Sequence, residues 1–128
     1  MNFKYKKVFY RECRLAARQY YDCDEVWNEL KVGTELQLVR DMDNANDKNA
    51  VAVVYTRPES LRAAGTNEED NMFHLGYIPR TDTGAFAPFL EMGWNDMFEC
   101  RICKIDPELH YEHQITMSIK IKRNKNVG

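Results

Sequence analysis

The clearest alternation in the chain lies near its end, where Ile115, Met117, Ile119 and Ile121 alternate with Thr116, Ser118, Lys120 and Lys122. A period of two sends successive side chains to opposite faces, so this run predicts a strand over 114–123 with one dry and one wet side. A weaker version recurs over 34–40, with Leu36 and Leu38 set against Glu35 and Gln37. The runs 50–55, 72–78 (stopped by Pro79) and 96–105 also read as strands. Residues 8–18 alternate imperfectly and predict a first strand that ends before Gln19-Tyr20-Tyr21.

Two stretches switch to helical spacing. Asp22 with Glu25 three residues on resembles a capping box, and Val26, Trp27 and Leu30 then fall on one face, which predicts a short helix over Asp24 to Leu30. A second helix is expected from about Thr83 to Met92, presenting Phe86, Phe89 and Leu90. Gly93 is its left-handed stop, and Pro88 belongs to the first turn of its regular part. Residues 56–71 hold Pro, Gly and the acidic run Glu68-Glu69-Asp70, and read as a long loop with a helical turn around Ser60 to Ala64. The turn 106–110 joins the last two strands. About six strands and two short helices in one 128-residue domain predict a mainly β fold, a small barrel decorated by helices.

Between the strands 34–40 and 50–55 lies the most unusual polar stretch, Arg40-Asp41-Met42-Asp43-Asn44-Ala45-Asn46-Asp47-Lys48-Asn49-Ala50. A hairpin needs two to five turn residues and commonly uses Gly; here three Asp and three Asn crowd nine residues without any Gly. Asx turns account for such side chains if they bond their own backbone. A binding surface is the other reading.

Composition narrows the chemistry. The chain carries 18 Lys plus Arg against 20 Asp plus Glu, a net charge of −2, which argues against bulk neutralisation of many phosphates but leaves room for a site gripping one or two. Basic residues gather at the two ends (Lys4, Lys6, Lys7, Arg11, Arg14, Arg18; Lys120, Lys122, Arg123, Lys125). No apolar run approaches a membrane span and no secretory signal is apparent, so Cys13, Cys23, Cys100 and Cys103 are expected as reduced thiols in a cytoplasmic protein.

Cys100-Arg-Ile-Cys103 followed by His110 and His113 superficially resembles a zinc site. In a strand, however, residues three apart point to opposite faces, so no metal and no cofactor are expected. An EF-hand loop started at Asp41 would place Asn46 and Ala52 where Gly and Glu are required, and started at Asp43 it would place Lys48 and Val54 there. No nucleophile elbow, P-loop or zinc-protease motif appears, and no enzymatic activity is expected.

Three blocks together resemble the HIRAN domain, found in eukaryotic fork-remodelling helicases and also alone in bacteria. They are Tyr20-Tyr21; the block from Gly33 through Leu36, Leu38, Arg40-Asp41, Asn44, Asp47, Asn49-Ala50-Val51 and Val53; and Leu75-Gly76-Tyr77-Ile78-Pro79-Arg80. The resemblance covers roughly residues 8–122. It implies a modified OB-like or SH3-like barrel that binds single-stranded DNA and captures a free 3′-hydroxyl end, with a helicase or repair protein as partner. By the same resemblance, Asp47 bonds the terminal hydroxyl and Asn44 contacts the terminal nucleotide. Tyr20 and Tyr21 stack on the last bases, and Tyr77 and Arg80 approach the phosphates. The family's remodelling members carry a basic residue where this chain has Gln19, with Arg18 one place earlier as the substitute. They often have His at the position of Tyr77, Pro at Met42 and Ala45, and an aromatic at Asn46. These departures keep a second reading open, a protein-interaction or adaptor module on the same fold without DNA binding. Asp47 and Asn49 as mere turn braces is the bland alternative for the middle block.

Overall fold

Six strands form one antiparallel sheet in the computed structural model, which describes residues 10–122. They are β1 (Tyr10–Arg14), β2 (Glu35–Arg40), β3 (Val51–Thr56), β4 (Met72–Tyr77), β5 (Phe98–Ile105) and β6 (Ile115–Ile121), in the spatial order β1-β6-β5-β2-β3-β4. The sheet curls into a half-barrel. Its two outer strands meet just beyond β1, where Ala16 and Tyr77 exchange backbone hydrogen bonds of 2.9 Å in both directions. The basic terminal residues Lys4, Lys6, Lys7, Arg123 and Lys125 lie outside the described residues, as do the outermost positions expected for the first and last strands.

The alternation at β6 does what its period requires: Ile115, Met117 and Ile119 are fully buried. Leu36 and Leu38 of β2 join them in the interior with Val51, Val53, Leu75 and Ile102. Burying a side chain of this size contributes about 1.5–3 kcal/mol, so the concave face of the sheet is the main source of stability.

The first strand stops at Arg14, earlier than its apolar pattern suggests, because Ala17 adopts a left-handed backbone (φ 61°) that turns the chain off the sheet. A 3-10 turn over Arg18–Tyr20 follows. The helix expected at Asp24 to Leu30 is instead a 3-10 segment over Asp22–Glu29. Asp22 lies inside its first turn, the cap position falls to Tyr21, and no side chain caps it, so the capping box does not form. Val26 and Cys23 still face the core.

Of the second expected helix only α1 (Ala87–Glu91) is α-helical, preceded by a 3-10 turn at Thr83–Ala85. Pro88 sits in its first turn and Gly93 (φ 86°) ends it, both as their residue types dictate. Phe86, Ala87 and Leu90 close the core from this side, with the Phe86 and Phe98 rings packed edge to face at 5.4 Å. The described residues thus form six strands and one α-helix, with short 3-10 turns elsewhere. Among the described residues no helix is long and apolar enough to cross a membrane.

Candidate nucleic-acid interface

The loop between β2 and β3 is a chain of Asx turns. Asp41 Oδ1 accepts the Asp43 amide at 3.2 Å, and Asn44 Oδ1 accepts those of Asn46 and Asp47 at 2.9 and 3.1 Å. Asp47 Oδ1 accepts the Asn49 amide at 2.9 Å. Local bonds of this kind fix a backbone that has no regular partner. Arg40 locks the loop from outside, donating to the Lys48 carbonyl at 2.9 Å and pairing with Glu91 of α1 at 2.7 Å. Turn chemistry therefore occupies Asp41, Asn44 and Asp47 in part, and each keeps another polar atom for a second task.

Opposite this loop stands an aromatic wall. The bridge between Ala16 and Tyr77 and the left-handed Ala17 turn the chain off the sheet beside Tyr77, and Tyr21 packs there. Tyr20 is 76% exposed and Tyr21 40%. The Tyr21 ring lies 4.2 Å from that of His74, tilted by 32°, and 5.4 Å from that of Tyr77. His74 and Tyr77 meet edge to face at 4.8 Å. Residues three apart in a regular strand would point to opposite faces. They share a side here because β4 bulges: Val53 pairs with Gly76 and Val54 with His74, leaving Leu75 as the extra residue.

The wall and the loop are joined by one strong hydrogen bond, from the Tyr77 hydroxyl to Asp41 Oδ2 at 2.5 Å. Burial, then the Asp41 carboxylate and the Tyr21 hydroxyl, push the Tyr77 phenol far above its ordinary range, so its proton stays in place. Between wall and loop lies an open cleft of about 320 Å³ lined by Tyr21, Asn44, Asn46, Asp47, Tyr77 and Arg80, among others. Arg80 is 72% exposed, donates to the Asn46 carbonyl at 2.7 Å, and approaches Asp47 Oδ2 only to 3.6 Å. One carboxylate and one guanidinium at the cleft make it close to neutral.

Five of the residues singled out by sequence (Tyr21, Asn44, Asp47, Tyr77 and Arg80) thus converge on one cleft. Tyr20 is exposed and is not among the residues that line it. Arg18 is the correction. Its side chain is 2% exposed and bonded to Cys23 Sγ at 3.3 Å and to Asp24. It is packed between the rings of Trp27 (4.6 Å) and Tyr111 (5.0 Å). A cation held this way is a structural brace between the turn and the 3-10 segment, and it does not line the cleft beside Tyr21. Cys100 is inside the core, whereas His110 and His113 lie on the outer turn. Among the described residues no group of three or more His, Cys, Asp or Glu side chains is placed to hold a metal ion.

Two residues that support the wall carry no sequence signal for that task. Asp41 carries no sign that it will meet a tyrosine 36 positions away. His74 sits in a short apolar run, and only the bulge brings it to the wall.

Fold and cleft together define a class: a small β half-barrel whose rim offers aromatic faces and fixed amide and carboxylate groups to a ligand. Within that class the chain belongs to the HIRAN domain family, whose profile matches residues 8–122. HIRAN domains are in general DNA-binding modules. Comparison with curated proteins and with solved structures found no match.

Proposed function

We propose that the cleft binds the last nucleotide of single-stranded DNA and recognises its free 3′-hydroxyl, without chemistry on the strand. The observation that carries this reading is the state of Asp47. Its Oδ1 is held by the Asn49 amide, while Oδ2 has Arg80 only at 3.6 Å, beyond good hydrogen-bond length. An ionised carboxylate can only accept, so it welcomes a hydroxyl proton and repels a terminal phosphate. Two like charges 4 Å apart cost about 1 kcal/mol in water and about 4 kcal/mol near a protein surface, enough to discriminate the two ends.

The neighbours fit the same ligand. Asn44 Oδ1 is spent on two backbone amides, which leaves its Nδ2 to donate to a base or sugar acceptor. Tyr21 and Tyr20 offer ring faces, and base stacking contributes about 1–3 kcal/mol per base. Arg80 supplies one cation for one phosphate. Recognition of an end by few charges is consistent with the net charge of −2. Such a module would bring a helicase or repair partner to an exposed end.

The test is a titration of the whole chain with short oligonucleotides ending in 3′-hydroxyl or 3′-phosphate. The hydroxyl form is expected to bind about tenfold or more tighter, and Asp47→Ala to erase the difference. Equal binding of both ends, unchanged in Asp47→Ala, overturns end capture. Absence of any binding at low salt leaves the protein-interaction reading of the fold.

A further inference from the structure

His74 is the one member of the rim's aromatic cluster with no assigned task. We infer that it is a positioning residue for nucleotide binding: its imidazole backs one face of Tyr21 and so fixes the other face as the platform for a nucleobase. This inference rests on reading the cleft as a nucleotide site, and it adds a specific requirement to it.

The geometry has three parts. The His74 and Tyr21 centroids are 4.2 Å apart at a tilt of 32°, a close, tilted contact rather than an edge-on one. The His74 ring is itself pinned, since Nε2 lies 2.9 Å from the Gly76 carbonyl and the Tyr77 ring abuts it edge to face at 4.8 Å. Tyr77 in turn is fixed by Asp41. Tyr21 itself follows a 3-10 turn off the sheet and remains 40% exposed; Tyr77 meets its ring edge to face at 5.4 Å, and the tilted contact with His74 is the closer of the two.

A half-exposed tyrosine with nothing behind it samples several rotamers and must give up that freedom on stacking. With His74 behind it the ring is already in place. The bulge at Leu75 is what makes this arrangement possible, because without it His74 would face away from Tyr77. A β-bulge beside a ligand cleft is a common means of re-aiming a side chain. In this chain it re-aims an aromatic one.

The experiment compares wild type, His74→Phe and His74→Leu, with Asp47→Ala as the reference for end recognition. Phe and Leu are both apolar, and only Phe keeps a ring behind Tyr21. Each protein is titrated with a 3′-hydroxyl oligonucleotide, and the aromatic proton shifts of Tyr21 are followed by NMR. The expected result is that His74→Phe binds within about twofold of wild type, whereas His74→Leu binds about three- to tenfold more weakly and loses the ring-current shift on Tyr21. Preference for the hydroxyl end should survive in both variants, since Asp47 is untouched. Equal affinity in the Phe and Leu variants overturns the role of His74 while leaving the nucleotide site standing. Absence of oligonucleotide binding in wild type overturns the site and this inference together.

Discussion

Tyr77 and Asp41 are 36 positions apart, and their side chains meet in a hydrogen bond of 2.5 Å that ties the outer strand β4 to the polar loop after β2. The loop's own Asx turns shape it locally, but this bond sets where it stands relative to the aromatic wall. A hydrogen bond to an ionised carboxylate contributes more than a neutral one, so Tyr77→Phe is expected to lower stability by about 1–2 kcal/mol in urea denaturation. Because the ring survives, oligonucleotide affinity should change by about threefold or less. Tyr77→Ala should lose more on both counts.

Gly76 lies where the half-barrel closes. A Cβ at that position would stand 2.4 Å from the carbonyl oxygen of Ala16, which is itself held in the bridge to Tyr77. The obstacle is backbone rather than a side chain that can swing away, so Gly76→Ala is expected to destabilise the fold by about 2–4 kcal/mol. Gly84→Ala provides the contrast. Nothing lies within 4 Å of a Cβ there, and its midpoint in the same denaturation series should stay close to wild type.

At the end of the 3-10 segment Glu29 receives both arms of Arg57, at 2.9 and 2.8 Å, and the Tyr55 hydroxyl at 3.2 Å. The Arg57 bonds hold its carboxyl below the ordinary value of 4.5. A folded-state pKa lowered in this way means the unfolded chain binds the proton more readily. The stabilisation is therefore complete above about pH 4.5 and lost as pH falls through the lower folded value. Glu29→Gln should flatten that acid limb when unfolding midpoints are measured from pH 6 down to 3. An unchanged slope in the variant would falsify the assignment.

Arg80 is the cation of the cleft and mostly exposed, and the proposed function gives it one phosphate. Single-strand binding loses about 0.7 log units of affinity per log unit of salt for each neutralised phosphate. Arg80→Ala is accordingly expected to weaken binding several-fold and to reduce the salt slope by about 0.7, alike for all sequences. A salt slope equal to wild type would remove Arg80 from the interface.

Much of the fold is legible in residue order. Ile115 through Ile121 reads as a strand because alternation is a local property, and Gly93 and Pro88 mark the ends of α1 for equally local steric reasons. The capping box at Asp22 misleads for a related cause: its residue types suit a cap, but Tyr21 takes the cap position and the segment winds as 3-10. Arg18 misleads differently. It reads as a surface cation beside two tyrosines, and the rings of Trp27 and Tyr111 enclose it.

By itself the sequence determined the strands and the polar loop and singled out Tyr20, Tyr21, Asn44, Asp47, Tyr77 and Arg80 as candidates, since each rests on local pattern or on a motif of fixed spacing. Tertiary structure alone decided that all of these but Tyr20 share one cleft, that Arg18 is withdrawn from it, and that Asp41 and His74 brace the tyrosines of its wall. The physical reason is that closure of the sheet at Ala16 and Tyr77 and the bulge at Leu75 set side-chain direction through long-range backbone pairing, which no local window contains.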